Sequence, residues 1–269
     1  MRHHHHDDGH DDFGGLHRDL SATGSAMGRR DLLRYALGAG ALALFGCSDS
    51  TGATEGTDPG TGACSRIPQE TAGPYPGDGS NGANVLDQTG VVRGDIRSSF
   101  AGLSGTADGV ALTIRLVLVS ASTCSPLAGR AVYLWHCDRL GRYSLYSSGA
   151  TAQNYLRGVQ EADASGQVAF TSIFPGCYAG RWPHIHFEVF PSVAAATSVS
   201  NKTATSQIAL PKAACDAVYA SGGHTGSASN LSQVSLATDN VFSDGSALEL
   251  ATMSGSVAAG YVATLTVAV

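Results

Sequence analysis

Charged side chains are scarce in this chain, at 14% of its 269 residues, and acidic residues outnumber basic ones by 22 to 16. There is no run of basic residues and no stripe in which basic and aromatic residues alternate. Because nucleic acids are bound mainly through clustered Lys and Arg, this composition argues against a nucleic-acid partner. The 43% of hydrophobic residues instead indicates a globular protein with room for one good core.

Long apolar runs are also missing, and none approaches the roughly 20 residues that a membrane-spanning helix needs. The run at 35–45 (YALGAGALALF) follows Arg29 and Arg30, an order typical of a twin-arginine export signal. We therefore predict a leader over 1–47 and export from the cytoplasm. Cys47 ends a lipobox-like LFGC sequence, so it is the predicted site of a lipid anchor, with a plain signal-peptidase site as the alternative.

No CxxC pair occurs, which argues against a zinc ribbon. The cysteines after the leader are Cys64, Cys124, Cys137, Cys177 and Cys215. Their odd number leaves at least one unpaired in an oxidising compartment, and the sequence does not define the pairing. Residues 48–63 are rich in Gly, Thr, Ser and Asp and are typical of a flexible linker, so the folded domain is predicted over 64–269. The run His3 to His6 in the leader is either an affinity tag or a native segment.

The folded part has few convincing helices and many short runs rich in Val, Thr and aromatic residues, separated by Gly, Ser, Asp and Pro turns. This pattern predicts an all-β domain, an antiparallel β-sandwich with long loops and few short helices. The predicted strands are 110–119, 131–136, 167–174, 184–190, 205–210, 248–253 and 260–269. One short helix is predicted over 212–219.

The strand at 184–190 carries the most informative pattern, because His184 and His186 alternate with the apolar Ile185, Phe187 and Val189. Successive side chains of a strand point to opposite faces, so both imidazoles project from one face, about 6–7 Å apart along the strand. Two such rings can converge on one metal ion. No Asp or Glu occupies the place that would complete the usual two-histidine, one-carboxylate site.

Two tyrosines are placed to approach this histidine pair. Tyr178 follows a Pro-Gly turn after one predicted strand, and Tyr143 follows a Gly-Arg pair after another. If both reach the histidines, the site has two phenolates and two imidazoles. Phenolate is a hard anionic donor that suits Fe(III) better than zinc or copper(I), and two tyrosinates with one hydroxide would neutralise the charge of that ion. Tyr146 and Tyr155 compete for the role of Tyr143, although packing is the simpler reading of both.

A set of motifs over roughly Glu70 to Val269 resembles the intradiol ring-cleavage dioxygenases. The motifs are ETAGPY (70–75), VVRGDIR (91–97), LWHCD (134–138), GRYS (141–144), LRGVQ (156–160) and PGCYAGRWPHIHF (175–187). These enzymes are non-haem Fe(III) proteins that include protocatechuate 3,4-dioxygenase and catechol 1,2-dioxygenase. The resemblance implies that this chain cleaves a catechol-type ring between its two hydroxylated carbons with O2, giving a cis,cis-muconate-type diacid.

The resemblance also implies roles for particular residues. The implied Fe(III) ligands are Tyr143, Tyr178, His184 and His186. Tyr178 would leave the metal and accept a substrate proton, and Arg181 would face the bound catechol. Tyr75 matches a residue at the family's substrate pocket. Apart from the resemblance, Gln160 is a further candidate to line the pocket or support it from behind, and a structural contact is an equal reading of it. The six-residue spacing from Tyr178 to His184 is shorter than in protocatechuate 3,4-dioxygenase, which predicts a more open pocket.

Two other functions fit parts of the sequence. One is a binding module for aromatic compounds or cell-wall material that keeps the sandwich without iron. The other is a zinc or copper protein that uses His184 and His186. Of the remaining histidines, His136 is predicted to lie in the core and His224 in a solvated loop.

Overall fold

The computed structural model describes residues 64–269, so the predicted leader, Cys47 and the predicted linker lie outside the described residues. The strands are β1 Ala111–Val119, β2 Ala131–Trp135, β3 Arg157–Glu161, β4 Gln167–Ile173, β5 His184–Phe190, β6 Ala204–Ala209, β7 Thr252–Ser256 and β8 Gly260–Ala268. The helices are α1 Lys212–Ala220 and α2 Ser227–Leu231, with 3-10 turns at Val193–Ala195, Val199–Asn201 and Phe242–Asp244. None of the helices in the described part is long and apolar enough to cross a bilayer.

The strands form two four-stranded sheets, and the predicted all-β sandwich is confirmed. One sheet has the order β4-β1-β8-β7 and the other the order β3-β2-β5-β6. All pairings are antiparallel except that of β1 with β8, which run parallel. The two sheets therefore differ, and the one that contains β5 is wholly antiparallel.

Two strand predictions need correction. β3 was missed, because Arg157, Gly158 and Gln160 interrupt the apolar alternation that identifies a strand. β7 begins at Thr252 and not at 248, because the preceding residues bind the edge of the other sheet. There Leu250 forms an isolated bridge with Ala209, after which the chain crosses to its own strand partner, β8.

The main core lies between the sheets and explains how β5 presents its histidines. Alternate residues of β1 face inward, from Leu112 to Leu118, and meet Ile185, Phe187 and Val189 of β5. Each such buried side chain contributes about 1.5–3 kcal/mol. His184 and His186 consequently point to the opposite face of their sheet.

A second apolar cluster covers that outer face. It includes Tyr133 and Trp135 of β2, and Val85, Val91 and Phe100 from the irregular segment before β1. The outer face of this sheet is therefore buried too, and all seven residues of β5 are inaccessible to solvent. Polar side chains on this face are shielded from water, and unpaired charges are costly in such surroundings.

A disulfide joins Cys64, at the start of the described region, to Cys124 in the loop after β1. Cys137, Cys177 and Cys215 are free and buried. The prediction that at least one cysteine stays unpaired is confirmed for the described residues.

Candidate metal centre

Four side chains bring their polar ends together on the outer face of β5. The Nε2 atoms of His184 and His186 are 3.1 Å apart. The phenol oxygen of Tyr143 lies 3.3 Å from the first and 3.1 Å from the second. The phenol oxygen of Tyr178 lies 3.1 Å from His184 Nε2. The structure thus brings together the four residues that the sequence named as ligands.

These separations fit a shared metal ion. Ligands bound at about 2.0–2.1 Å around one ion lie roughly 3.0–3.4 Å from one another, which is the range found here. Within residues 64–269, no group of three or more His, Cys, Asp and Glu side chains could hold a metal. The further protein donors beside the histidine pair are the phenol oxygens of Tyr143 and Tyr178.

Hydrogen bonding prepares His184 to donate a lone pair to this cluster. Its Nδ1 lies against the backbone carbonyl of Trp182, which only accepts hydrogen bonds, so Nδ1 carries the proton. Nε2 then presents a lone pair to the other three side chains. Carbonyl bonding of the distal nitrogen is the usual arrangement in metal-binding histidines.

Both imidazoles are held in the neutral form. Burial lowers the pKa of His184 well below its ordinary value, and the nearby charge of Arg181 lowers it further. Burial likewise lowers the pKa of His186, with His184 as the next cause. Neutral imidazole is the form that binds a metal. His186 is also fixed by stacking on Trp135, with ring centroids 5.0 Å apart and planes at 4°.

The two tyrosines lie on loops that approach each other closely at two glycines. A Cβ added at Gly176 would lie 2.8 Å from the carbonyl oxygen of Arg139 and 2.8 Å from the amide nitrogen of Gly141. Gly141 has a φ of +78°, and a Cβ there would lie 3.1 Å from the Cβ of Tyr178. The close approach of the two loops therefore needs glycine at both positions.

Arg181 is fully buried and is held by two residues that the sequence did not identify. Its Nε donates to Asp239 at 3.0 Å, and its Nη2 donates to Gln207 at 2.6 Å. The same Asp239 oxygen accepts the backbone N–H of Trp182 at 2.7 Å. Asp239 lies in a loop 58 residues after Arg181, with no local motif around it, and only the fold brings the two together.

Tyr75 lies beside the cluster, with its ring centroid 5.0 Å from that of Tyr143 and 5.2 Å from that of Tyr146. Arg157 fixes this arrangement by donating to the carbonyls of Tyr75 at 2.9 Å and Ser144 at 3.0 Å. It also donates to the carbonyl of Pro76 at 2.7 Å. Arg157 therefore ties the segment that carries Tyr75 to the loop that carries Tyr143.

Gln160 is not brought to the cluster. On β3 it pairs with Val132, three residues along β2 from Trp135, and its side chain lies over Gly94. A structural contact, the other reading given to this residue, matches this position.

The competing tyrosines and the other histidines lie elsewhere. Tyr155 donates to Asp138 at 3.2 Å, and Tyr146 donates to Asn81 at 2.7 Å, so both phenol groups are engaged by residues outside the histidine pair. His136 is buried as predicted. The prediction of a solvated His224 is wrong, because it is buried and its Nε2 donates to the carbonyl of Phe174 at 3.1 Å.

Known proteins are similar to this chain in sequence over one segment and in fold. The family described as Dioxygenase matches residues 97–183, a range that contains Tyr143, Tyr178 and Arg181 and ends just before His184. An intradiol ring-cleavage dioxygenase from Tetranychus urticae has a similar structure, with 22% identity, a TM-score of 0.59, and coverage of 76% of this chain and 94% of that one. A second dioxygenase crystal structure gives 23% identity, a TM-score of 0.60 and the same coverages. No curated protein matches the sequence. The predicted resemblance to the intradiol ring-cleavage dioxygenases is thereby confirmed, and the two structures share the fold.

Proposed function

We propose that this protein is an Fe(III) intradiol ring-cleavage dioxygenase, with Tyr143, Tyr178, His184 and His186 as the metal ligands. The observation that carries the proposal is the convergence of two phenol oxygens and two imidazole nitrogens at separations of 3.1–3.3 Å. Two phenolates and one hydroxide balance the charge of a ferric ion, whereas a zinc site in proteins is built mainly from thiolate, imidazole and carboxylate. A neutral cluster is also the least costly one to bury on this covered face.

The two tyrosines are suited to different tasks. Tyr143 is buried and lies beside both histidines, whereas Tyr178 is partly exposed and its phenol oxygen lies 3.1 Å from Nε2 of His184. Tyr178 is thus the one whose phenolate could turn toward solvent, take a proton from an incoming catechol hydroxyl and become the neutral phenol. When bound, the ferric ion would act as a Lewis acid and a template for the catechol.

Arg181 supplies a fixed positive charge beside this cluster. Its guanidinium is held by Asp239 and Gln207 and lies close enough to lower the pKa of His184. A cation held in place in a water-excluded site stabilises developing negative charge without reorganisation. We assign it the stabilisation of charge on the ring during cleavage by O2, which leads to the diacid product.

Export from the cytoplasm is part of the same proposal. The disulfide between Cys64 and Cys124 supports it, since such bonds persist mainly in oxidising compartments. Substrates would then be catechol-type compounds met outside the cytoplasm.

The test is to purify the full chain, measure its iron content and visible absorption, and follow O2 uptake with catechol. Tyrosinate bound to Fe(III) gives a red-brown colour, and both colour and uptake are expected. Tyr178→Phe should lose most of the uptake, and His184→Ala should lose iron as well. Tyr261→Phe, a substitution on β8, is the matched control and should behave like the wild type. A colourless, iron-free protein that instead binds zinc or copper would refute the proposal.

A further inference from the structure

The segment Phe174–Cys177, which leads directly into Tyr178, is held by side chains from the helical region of the chain. His224 donates to the carbonyl of Phe174 at 3.1 Å, and Tyr219 donates to the carbonyl of Pro175 at 3.1 Å. These bonds fix the backbone along two successive residues. Both donors lie far along the chain from the carbonyls that they bind, at separations of 50 and 44 residues.

Helix α2 then holds both backbone groups of Cys177. The amide of Cys177 donates to the hydroxyl of Ser227 at 3.0 Å, and its carbonyl accepts from the side-chain amide of Asn230 at 2.8 Å. Ser227 is buried and Asn230 is partly buried, three residues apart, so they lie on the same face of the helix. Two side chains of this short helix thus bind the backbone of one residue, an arrangement that can hold Cys177 in a fixed position.

The other side of the segment is held as well. The amide of Gly176 donates to the carbonyl of Asp138 at 2.9 Å, in the loop that leads to Tyr143. The residues before Tyr178 are therefore clamped between that loop and α2. With its backbone fixed in this way, Tyr178 moves chiefly by rotation of its side chain.

We propose that Ser227 and Asn230 are positioning residues that set the place of the Tyr178 phenol relative to His184. The inference rests on the proposed function, because it assigns the helix a role in the movement of Tyr178 on and off the metal. A displacement of about 1 Å at a reacting group can cost roughly 100-fold in rate. Loss of one clamp bond is therefore expected to change turnover while leaving the fold and the other three ligands in place.

The experiment compares Asn230→Ala and Asn230→Asp with the wild-type full chain. Asn230→Asp keeps the shape but places a carboxylate against the carbonyl of Cys177, which removes the hydrogen bond. Ser229→Ala, an exposed position on the same helix, is the matched control. Ser227→Ala is added with circular dichroism, so that a folding defect is recognised as such.

Three readouts are expected to change together in the Asn230 variants. Amide hydrogen exchange in the peptide 174–181 should rise at least severalfold. The tyrosinate–Fe(III) absorption band should shift or weaken at unchanged iron content. The value of kcat should fall about 10- to 100-fold with a smaller change in KM. Ser229→Ala should match the wild type in all three.

Failure of this inference is distinguishable from failure of the proposed function. If the wild type binds no iron and takes up no O2, the proposed function fails, while hydrogen exchange still reports whether α2 clamps the segment. If exchange rises but the band and kcat stay at wild-type values, the clamp is structural only and the positioning role is overturned. Unchanged exchange in both Asn230 variants overturns it as well.

Discussion

The positive charge of Arg181 is paired with the buried carboxylate of Asp239, at 3.0 Å. Asp239 is as inaccessible to solvent as Arg181, and it also accepts the backbone amides of Val241 at 2.8 Å and Phe242 at 3.1 Å. The carboxylate thus compensates a buried cation and organises its own loop. Asp239, which belongs to no recognisable motif, thus helps to fix the orientation of the motif residue Arg181.

Asp239→Asn should therefore be strongly destabilising. The amide keeps the volume but removes the carboxylate charge beside the buried Arg181 guanidinium. Breaking a buried ion pair in this way costs about 3–5 kcal/mol in the free energy of unfolding. Urea denaturation followed by circular dichroism measures it. Asp216→Asn is the matched control, since that residue pairs with Lys212 on the exposed surface and should cost less than about 1 kcal/mol. Equal losses for the two variants would contradict the assignment.

We expect His136 to make the stability of the protein depend on pH. It is buried, with Nδ1 against the carbonyl of Cys137 and Nε2 against the hydroxyl of Ser172, each at 2.7 Å. Burial lowers its pKa from 6.5 to about 4. The unfolded chain therefore binds the proton of His136 more readily than the folded chain does. The free energy of unfolding is highest above pH 6.5 and decreases as the pH falls from 6.5 toward 4.

The expected loss is about 3 kcal/mol in the free energy of unfolding, at 1.36 kcal/mol per pKa unit. Urea midpoints measured between pH 4 and pH 7 give it for the wild type and for His136→Gln. His184 and His186 are also buried with lowered pKa values and change the free energy of unfolding in the same direction. The contribution of His136 is therefore the difference in pH dependence between the wild type and the variant. A variant that keeps the full wild-type slope would show that His136 does not contribute.

Among the elements, β5 was predicted with its observed bounds, whereas β3 was missed. The reason is physical. The apolar residues of β5 meet the main core and its histidines lie on the other face, so a period of two is visible in the sequence. In β3, Arg157 is buried because it donates hydrogen bonds to carbonyls that are distant in sequence. A polar residue therefore occupies a buried position of the strand, and the apolar alternation is lost.

The candidate site follows the same division. The four converging side chains were readable because they lie in motifs near turns and strands. The residues that hold them were not, because Asp239, Gln207, Ser227 and Asn230 act through contacts between segments that are distant in sequence. A single sequence carries no signal for such contacts unless the residues also form a local pattern.

The close approach of the two tyrosine loops gives a prediction at this scale for Gly176→Ala. The added Cβ would meet backbone atoms of Arg139 and Gly141 at 2.8 Å, so the two loops have to separate. We expect a loss of about 1–3 kcal/mol in the free energy of unfolding and a weaker affinity for iron, measured by denaturation and by titration of the iron-free protein.

Gly94→Ala is the matched control for Gly176→Ala. Neither glycine has a positive φ. The nearest atom to a Cβ at Gly94 is the side-chain amide nitrogen of Gln160 at 2.6 Å, which can rotate away. The control should lose less than about 1 kcal/mol and bind iron like the wild type. Similar losses of stability and iron affinity in the two variants would show that these losses do not come from the close approach of the two loops.

At the scale of the whole molecule, the site lies outside the core between the sheets, on a face that a second apolar cluster has to cover. That cover includes the irregular segment before β1, with Val85, Val91 and Phe100. The disulfide between Cys64 and Cys124 anchors the start of the described region to the loop after β1 and closes a span of 60 residues. The segment that supplies part of this cover is therefore enclosed in the loop that the disulfide closes.

Opening this disulfide by substituting both cysteines, Cys64→Ser with Cys124→Ser, should lower the free energy of unfolding by about 2–4 kcal/mol. The effect comes mainly from greater freedom of the unfolded chain. The folded variant should therefore keep the iron content and colour that the proposed function assigns to the wild type. Denaturation with and without reductant measures the loss: reductant should destabilise the wild type and leave the double variant unchanged. Cys137, Cys177 and Cys215 are buried, so in both folded proteins they should react with a thiol reagent only on unfolding. Loss of iron from the folded double variant would show instead that the anchored segment holds the metal site together.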